Sequence, residues 1–263
     1  MINKINTALA KLRQTKPLVL CLTNYVTMDF MANSLLALGA APIMSCATEE
    51  IEELIKIAQA VNINIGTLNA EFIARCEVAI KFAQRYGKPI VLDPVGAGAS
   101  LLRTASARRL MVFTDIIRGN ASEIMALMED EHQTHGVEST QQVQNAKDIA
   151  FKLAKTLGCT VVVSGEEDFV TDGSRQELLK FGSPIMSRIT GMGCALTAVI
   201  AAFRAVMPDP FSAAAIATAY FGLCGNLAHS KTNQPGTFRA AFIDALEEGV
   251  KSLQSTMNVI AVE

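Results

Sequence analysis

Thr160-Val161-Val162-Val163-Ser164 has strand length, is rich in β-branched residues and lacks the polar alternation of a strand with one wet face. Such a run belongs inside a sheet that helices cover on both sides. Working outward from it, comparable apolar runs recur at Leu18 to Leu22, Pro42 to Ser45, Asn62 to Ile65, Ile90 to Asp93 and Asp115 to Arg118. Longer segments with helical spacing separate them. Between Asn69 and Arg85, Phe72, Ile73, Cys76, Ile80 and Phe82 share one helical face. This alternation predicts an α/β fold, a three-layer α/β/α sandwich with a mostly parallel central sheet. Phe169 to Asp172 and Gln176 to Lys180 flank Asp172-Gly173-Ser174 and read as a hairpin at the sheet's edge. Helix starts are marked by Thr48 ahead of Glu49 and Glu50, and by Ser139 with Gln142 in a capping-box arrangement. His132 to Glu138 reads as a polar loop. With no linker, low-complexity tract or repeat, residues 1–263 read as a single domain.

Half of the 263 residues are hydrophobic and 18% are charged, the composition of a chain with a large core. A formal charge of −2 supplies no basic field for nucleic acid phosphates, so nucleic acid is discarded as a partner. The six cysteines show no CxxC spacing, and several lie in apolar runs, which points to a reduced, cytoplasmic setting. Met1 to Lys16 lacks the apolar core of a signal peptide. Ala195 to Phe203 and Ala213 to Leu223 are too short for uninterrupted membrane spans and read as buried helices of a protein without a membrane partner. His132, His135 and His229 have no metal-ligand spacing with one another or with the cysteines.

Three stretches carry chemistry. Thr190-Gly191-Met192-Gly193-Cys194 is a glycine turn running into a strongly helical segment. The unpaired N–H groups of a first turn and the positive end of the helix dipole suit a transferring phosphoryl group. The same placement is expected to lower the pKa of Cys194 and make it a base or nucleophile. A tight turn with a buried, inert cysteine explains this pentapeptide equally well. Ile90-Val-Leu-Asp93-Pro-Val-Gly96-Ala-Gly98-Ala places an acid at the carboxyl end of a buried strand, where ligands of open parallel sheets bind. Leu101 stands where a dinucleotide fingerprint needs its third glycine, and the alternative for Asp93 is a turn cap. In Arg118-Gly-Asn120-Ala-Ser122-Glu123, Arg118 offers a guanidinium fork for phosphate, and Asn120 with Glu123 offers a site for hydrated Mg²⁺. Alternatively Asn120 or Ser122 caps the following helix, Glu123 to Met128. Ser164 is read either as a nucleotide contact or as a turn cap. Asn24, Val26 and Met44, at the ends of the first two strands, suit a small heteroaromatic ring. A P-loop is excluded, because GxxxxGK[ST] is absent.

Taken together, Leu22-Thr-Asn-Tyr-Val-Thr27, Leu92-Asp-Pro-Val-Gly-Ala-Gly-Ala99, Arg118-Gly-Asn-Ala-Ser-Glu-Ile124, Thr190-Gly-Met-Gly-Cys194 and Gln234-Pro-Gly-Thr-Phe238 resemble the hydroxyethylthiazole kinase family of thiamin salvage. That family is a branch of the ribokinase-like superfamily, and the resemblance runs from about residue 10 to 250. It implies an ATP-dependent kinase of 4-methyl-5-(2-hydroxyethyl)thiazole. Cys194 takes the place of the superfamily's catalytic base, usually Asp, and Gly191 to Cys194, with Gly193 between, form its anion-hole loop. Asn120 and Glu123 stand as its NxxE motif. Met44 and Gly191 are implied on the thiazole alcohol, Arg118 and Ser164 on ATP, and Asp93 with Glu123 on Mg²⁺; Asn24 and Val26 are expected to join the substrate contacts and Asn120 the ATP contacts. A homotrimer with active sites at subunit boundaries is also implied. Met192 departs from the Thr or Ala frequent in relatives. Hydroxymethylpyrimidine kinases are the nearest competing substrate class. A dehydratase of hydrated nicotinamide nucleotides and a non-catalytic nucleotide sensor are readings of other kinds.

Overall fold

In the computed structural model, residues 1–128 and 139–249 are described, and they build one eight-stranded sheet. Its strands, in chain order, are β1 (Leu18–Leu22), β2 (Ala41–Ile43), β3 (Ala60–Asn64), β4 (Ile90–Asp93), β5 (Ile116–Asn120), β6 (Thr160–Ser164), β7 (Asp168–Thr171) and β8 (Gln176–Leu179). In space the order is β2-β1-β3-β4-β5-β6-β7-β8. The first six run parallel; β6 to β8 pair antiparallel, with the expected hairpin at the edge.

Alternate strand residues face opposite layers, which is why the strands need no polar positions. Val19, Cys21, Val91, Ile116 and Val162 point to one face. That face is covered by α1 (Ile2–Thr15), α2 (Met28–Leu38), α8 (Met192–Val206), α9 (Pro210–Lys231) and α10 (Pro235–Glu248). Leu20, Val61, Ile63, Leu92, Ile117 and Val161 point the other way. They meet α3 (Ile51–Ile57), α4 (Ala70–Arg85), α5 (Leu101–Met111), α6 (Ala121–Ala126) and α7 (Ser139–Leu157). Phe30 and Met31 of α2 are core residues of the chain's own first layer. Helix α9 is long and apolar enough to cross a membrane by length and composition, but 83% of its most apolar window is buried inside the fold.

The expected strands are all present; β1, β4 and β6 keep their expected ends and the others shift. β2 stops at Ile43, because its ladder to β1 has three rungs, and Met44 and Ser45 leave it. β3 starts at Ala60, where Ala60 and Val61 pair with Val19 and Leu20. β5 runs on to Asn120, since Gly119 and Asn120 pair with Val163 and Ser164. Helix α4 keeps its expected start: the Asn69 side chain accepts from the Phe72 N–H at 2.7 Å, and Phe72, Ile73, Cys76 and Ile80 are buried. Thr48 opens a short 3₁₀ turn, Thr48–Glu50, that leads into α3. The loop His132 to Glu138 and the side chains of the Ser139 and Gln142 capping box lie outside the described residues.

Topology sets the crevice. The chain runs outward from β1 through α2 to β2, then returns through α3 to β3 on the other side of β1. The strand order therefore reverses between β1 and β3, and a crevice opens at their carboxyl ends. α2, which flanks it, is held from behind by an aromatic cluster. Phe242 of α10 packs on Phe221 of α9 (ring centroids 4.7 Å apart), Phe238 (6.2 Å) and Phe30 (6.3 Å). Phe242→Ala is expected to cost about 3–5 kcal/mol of unfolding free energy, read from the urea midpoint at unchanged slope.

Candidate active site

The carboxyl ends of β1, β3, β4, β5 and β6 converge on the N-terminus of α8. Asp93, the last residue of β4, is fully buried. Its Oδ2 accepts from the Asn64 amide at 2.9 Å and the Thr197 hydroxyl at 2.8 Å, and Arg118 Nη1 lies 3.7 Å away. Its Oδ1 is buried with no hydrogen-bond partner among the described residues. Asp93 is therefore a buried acid facing the crevice, not the turn cap that Asp-Pro admits. Burial pushes its carboxyl up to about 6, against the pull of Arg118 and the bonds from Thr197 and Asn64, while Glu123 adds to the rise.

Cys194 sits in the first turn of α8. Gly191 precedes the helix with φ +94°, a left-handed conformation that favours glycine, and a Cβ there would come within 3.0 Å of Thr27. The first intrahelical bond runs from Ala195 N–H to the Gly191 carbonyl at 2.8 Å, so the N–H groups of Gly193 and Cys194 lie ahead of the helical ladder. At Gly193 a Cβ would collide with the Arg118 guanidinium. The missing side chain lets the charge lie against the helix start. The Asn24 amide donates to Cys194 Sγ at 3.5 Å and to Asn64 Oδ1 at 2.8 Å. A continuous chain of contacts thus links the thiol to the Asp93 carboxylate. The lowering of the Cys194 pKa expected from the helix N-terminus does not occur. Burial first, and the Asp93 charge second, push the thiol above its ordinary value, and hydrogen bonding from Thr27 and Asn64 and the Arg118 charge offset this only in part.

Asn120 and Glu123 form a reciprocal capping box at α6. Asn120 Oδ1 accepts from Glu123 N–H at 2.9 Å, and Glu123 Oε2 accepts from Asn120 N–H at 2.8 Å. Glu123 Oε1 also accepts from Gly96 N–H at 2.9 Å, which ties the glycine loop after β4 to the cap. Ser122 Oγ donates to Asn120 Oδ1. Ser164, at the end of β6, accepts from Arg118 Nη2 and donates to the Gly119 carbonyl. Met44 stands apart from this group. It lines a cavity of about 110 Å³ with Cys21, Thr23, Met28 and Phe72 at the β1–β2 edge. Val26 is 69% exposed and lines no part of it. His229 falls in the last turn of α9, and His132 and His135 lie outside the described residues. All six cysteines are free, and the described residues contain no cluster of three metal-ligating side chains.

Four residues escaped the sequence reading. Asn64, Thr27 and Thr197 contact Asp93 or Cys194 through side-chain hydrogen bonding, and an amide inside the otherwise buried run Ala60–Asn64 was the available signal. Arg103 donates to the carbonyls of Ile65 (3.1 Å), Gly66 (2.9 Å) and Val95 (2.9 Å), pinning the loops after β3 and β4 together.

A model of the hydroxyethylthiazole kinase family matches residues 9–251. This chain belongs to the hydroxyethylthiazole kinase family. It is 49% identical over 248 residues to a protein named hydroxyethylthiazole kinase from Chlamydia felis, an alignment covering 94% of this chain and 95% of that one. The solved structure of a hydroxyethylthiazole kinase protein from Pyrococcus horikoshii OT3 is 37% identical, with a TM-score of 0.88 over 95% of this chain and 96% of that one. A ribokinase-like superfamily protein from Enterococcus faecalis, 17% identical with a TM-score of 0.59 over 90% of this chain and 88% of that one, shares the fold alone. The fold is ribokinase-like, as the motifs of this family member led one to expect.

Asp93 retains its proton in the folded, unliganded protein over a range where the unfolded chain has lost it, from its ordinary value near 4 to about 6. Stability carried by that proton falls as pH rises through this window. Asp93→Asn is expected to flatten the fall by up to about 1.4 kcal/mol per pH unit in urea unfolding of the unliganded protein.

Proposed function

We propose that the protein transfers the γ-phosphoryl of ATP to the primary alcohol of 4-methyl-5-(2-hydroxyethyl)thiazole, yielding the monophosphate used in thiamin salvage. The observation that carries this reading is the convergence of Cys194, Arg118 and the buried Asp93 on the N-terminus of α8, in a chain of this family. The alcohol attacks the γ-phosphorus in line, and positioning with charge stabilisation supplies most of the catalysis. Arg118, Ser164 and Asn120 hold the nucleotide, and the free N–H groups of Gly193 and Cys194 meet charge developing on the transferred group. Asn24, Met44 and Gly191 orient the thiazole; Val26, largely exposed in one chain, fits a contact made across a subunit boundary.

Cys194, in its thiolate form, accepts the alcohol proton late in the transfer and becomes the neutral thiol. The donating Asn24 amide holds the sulfur in place. Asp93 and Glu123 suit Mg²⁺: Asp93 Oδ1 is a buried oxygen without a partner among the described residues, and a cation that keeps most of its waters needs few protein carboxylates. Bound there, Mg²⁺ would neutralise charge on phosphate oxygens. We further propose a single catalytic domain that works in the cytoplasm as a homotrimer, with the exposed Tyr25 and Val26 beside a neighbouring subunit.

The first test is ATP consumption with Mg²⁺, comparing hydroxyethylthiazole, hydroxymethylpyrimidine and no acceptor. Selective turnover of the thiazole is expected; pyrimidine selectivity would replace the substrate, and silence with both would favour the dehydratase chemistry. Cys194→Ala is expected to lower kcat by about 10²–10⁴, whereas Cys194→Asp retains more activity. Because the native thiol titrates above its ordinary value, native kcat should climb with pH on the alkaline side, and the Asp variant should lose that climb. Equal losses in both variants would remove Cys194 as the proton acceptor.

A further inference from the structure

The cavity that Met44 lines has a second wall, and its chemistry goes unused by an uncharged thiazole. Arg75 of α4 lines it, and this side chain is 5% exposed. Its partner is Glu71, one turn earlier, with Nη2 and Oε1 3.1 Å apart, and Glu71 is 78% exposed. Arg75 Nε is buried with no hydrogen-bond partner among the described residues. A guanidinium taken out of water and paired only with a solvated carboxylate keeps most of its desolvation cost. A buried N–H without an acceptor is rare in folded proteins and calls for a ligand, a water or an ion.

The cavity supplies no acid to answer this charge, because none of its lining residues is Asp or Glu. Thr23 donates to the Met31 sulfur at 3.0 Å and Ser45 to Glu50, and among the described residues the Arg75 Nε reaches neither hydroxyl as an acceptor. Tyr25 and Cys46, also in the lining, contact each other at 3.6 Å, and the rest, Cys21, Met28, Met44 and Phe72, is soft and apolar and suits the faces of a small ring. A volume of about 110 Å³ admits a group of several heavy atoms, since about 10–15 Å³ by the same measure already holds a water.

We propose that Arg75 makes this cavity a subsite for a carboxylate carried on the acceptor's ring, so that the protein takes a carboxylated thiazole alcohol. In 4-methyl-5-(2-hydroxyethyl)thiazole the substituents occupy C4 and C5, which leaves C2 as the ring carbon free to carry it. The inference rests on the thiazole reading above, and adds to it an anionic group recognised by the guanidinium fork.

Calorimetric titration without nucleotide separates the two ideas, because it reads binding and not turnover. The native protein should bind 4-methyl-5-(2-hydroxyethyl)thiazole-2-carboxylate at least about tenfold tighter than the parent thiazole, the factor one charge-assisted hydrogen bond supplies. Arg75→Gln should abolish that preference while moving parent affinity much less, and Glu71→Gln should leave the preference in place. If circular dichroism shows Arg75→Gln unfolded, Arg75→Lys, which keeps the charge but loses the fork, should cut the preference severalfold. Equal binding of the two compounds by the native protein would overturn the proposal. So would a preference that survives at Arg75→Gln. A third overturning result is a changed subunit number by light scattering in Arg75→Gln with no preference in the native protein, which would assign Arg75 to a carboxylate of a second copy. Failure of the parent thiazole to be phosphorylated would instead count against the kinase reading alone.

Discussion

Burial of the Asp93 carboxylate is the constraint around which the crevice is arranged. An acid with no solvent exposure is tolerated when other groups replace water, and here each of them comes from a different element. Asn64 requires β3 beside β4; Thr197 requires α8 laid across the sheet; Arg118 requires β5 on the far side. The guanidinium can approach because Gly193 has no side chain in its way. All of this satisfies Oδ2 and leaves Oδ1 without a partner among the described residues. An incompletely satisfied buried acid destabilises the empty protein and stores affinity for a positively charged complement, a common arrangement at catalytic sites.

The layered fold was legible because its signal is periodic and redundant. Six apolar runs separated by helical segments predict a covered parallel sheet even though Pro42 to Ser45 and Asn62 to Ile65 each miss the strands that form by one residue at one end and two at the other. Those errors share a cause. Strand ends are set by which rungs pair with a neighbour, and a single run of sequence does not contain its neighbour. The candidate site residues were legible for a related reason: Asp93 closes a strand, Cys194 opens a helix at a glycine turn, and Arg118 precedes the Gly119-Asn120 end of β5. Asn64 and Thr197 were not, because an amide in a strand and a hydroxyl on a helix acquire meaning only when β3 and α8 meet over β4.

The cap at α6 shows two readings of one motif holding together. Asn120 and Glu123 bond each other's backbone N–H groups, which is a local stop-and-start signal of ordinary kind. Yet the same geometry fixes the Glu123 carboxylate at the crevice and ties it to Gly96 in the loop after Asp93. Each carboxylate oxygen has a second lone pair beyond the one the backbone uses. The cap therefore orients the acid without consuming it. A residue held by two backbone donors loses little entropy when it meets a ligand, which is the advantage of building a site on a helix end.

The identity of residue 194 follows from the same electrostatics. An aspartate in this position would place a second negative charge close to Asp93, and two carboxylates sharing a site raise each other's pKa. A thiol is neutral as long as it keeps its own proton, and only the thiolate left when that proton is lost can accept another. In the empty protein burial, with the Asp93 charge second, favours the protonated form of Cys194, and the site thereby avoids a second unpaired charge. Arg118 then has one carboxylate to balance and retains capacity for phosphate. A base present as thiolate in only a small fraction of molecules suits a transfer in which the alcohol keeps its proton until the phosphorus–oxygen bond is largely made, since strong early proton abstraction would contribute little to such a transition state.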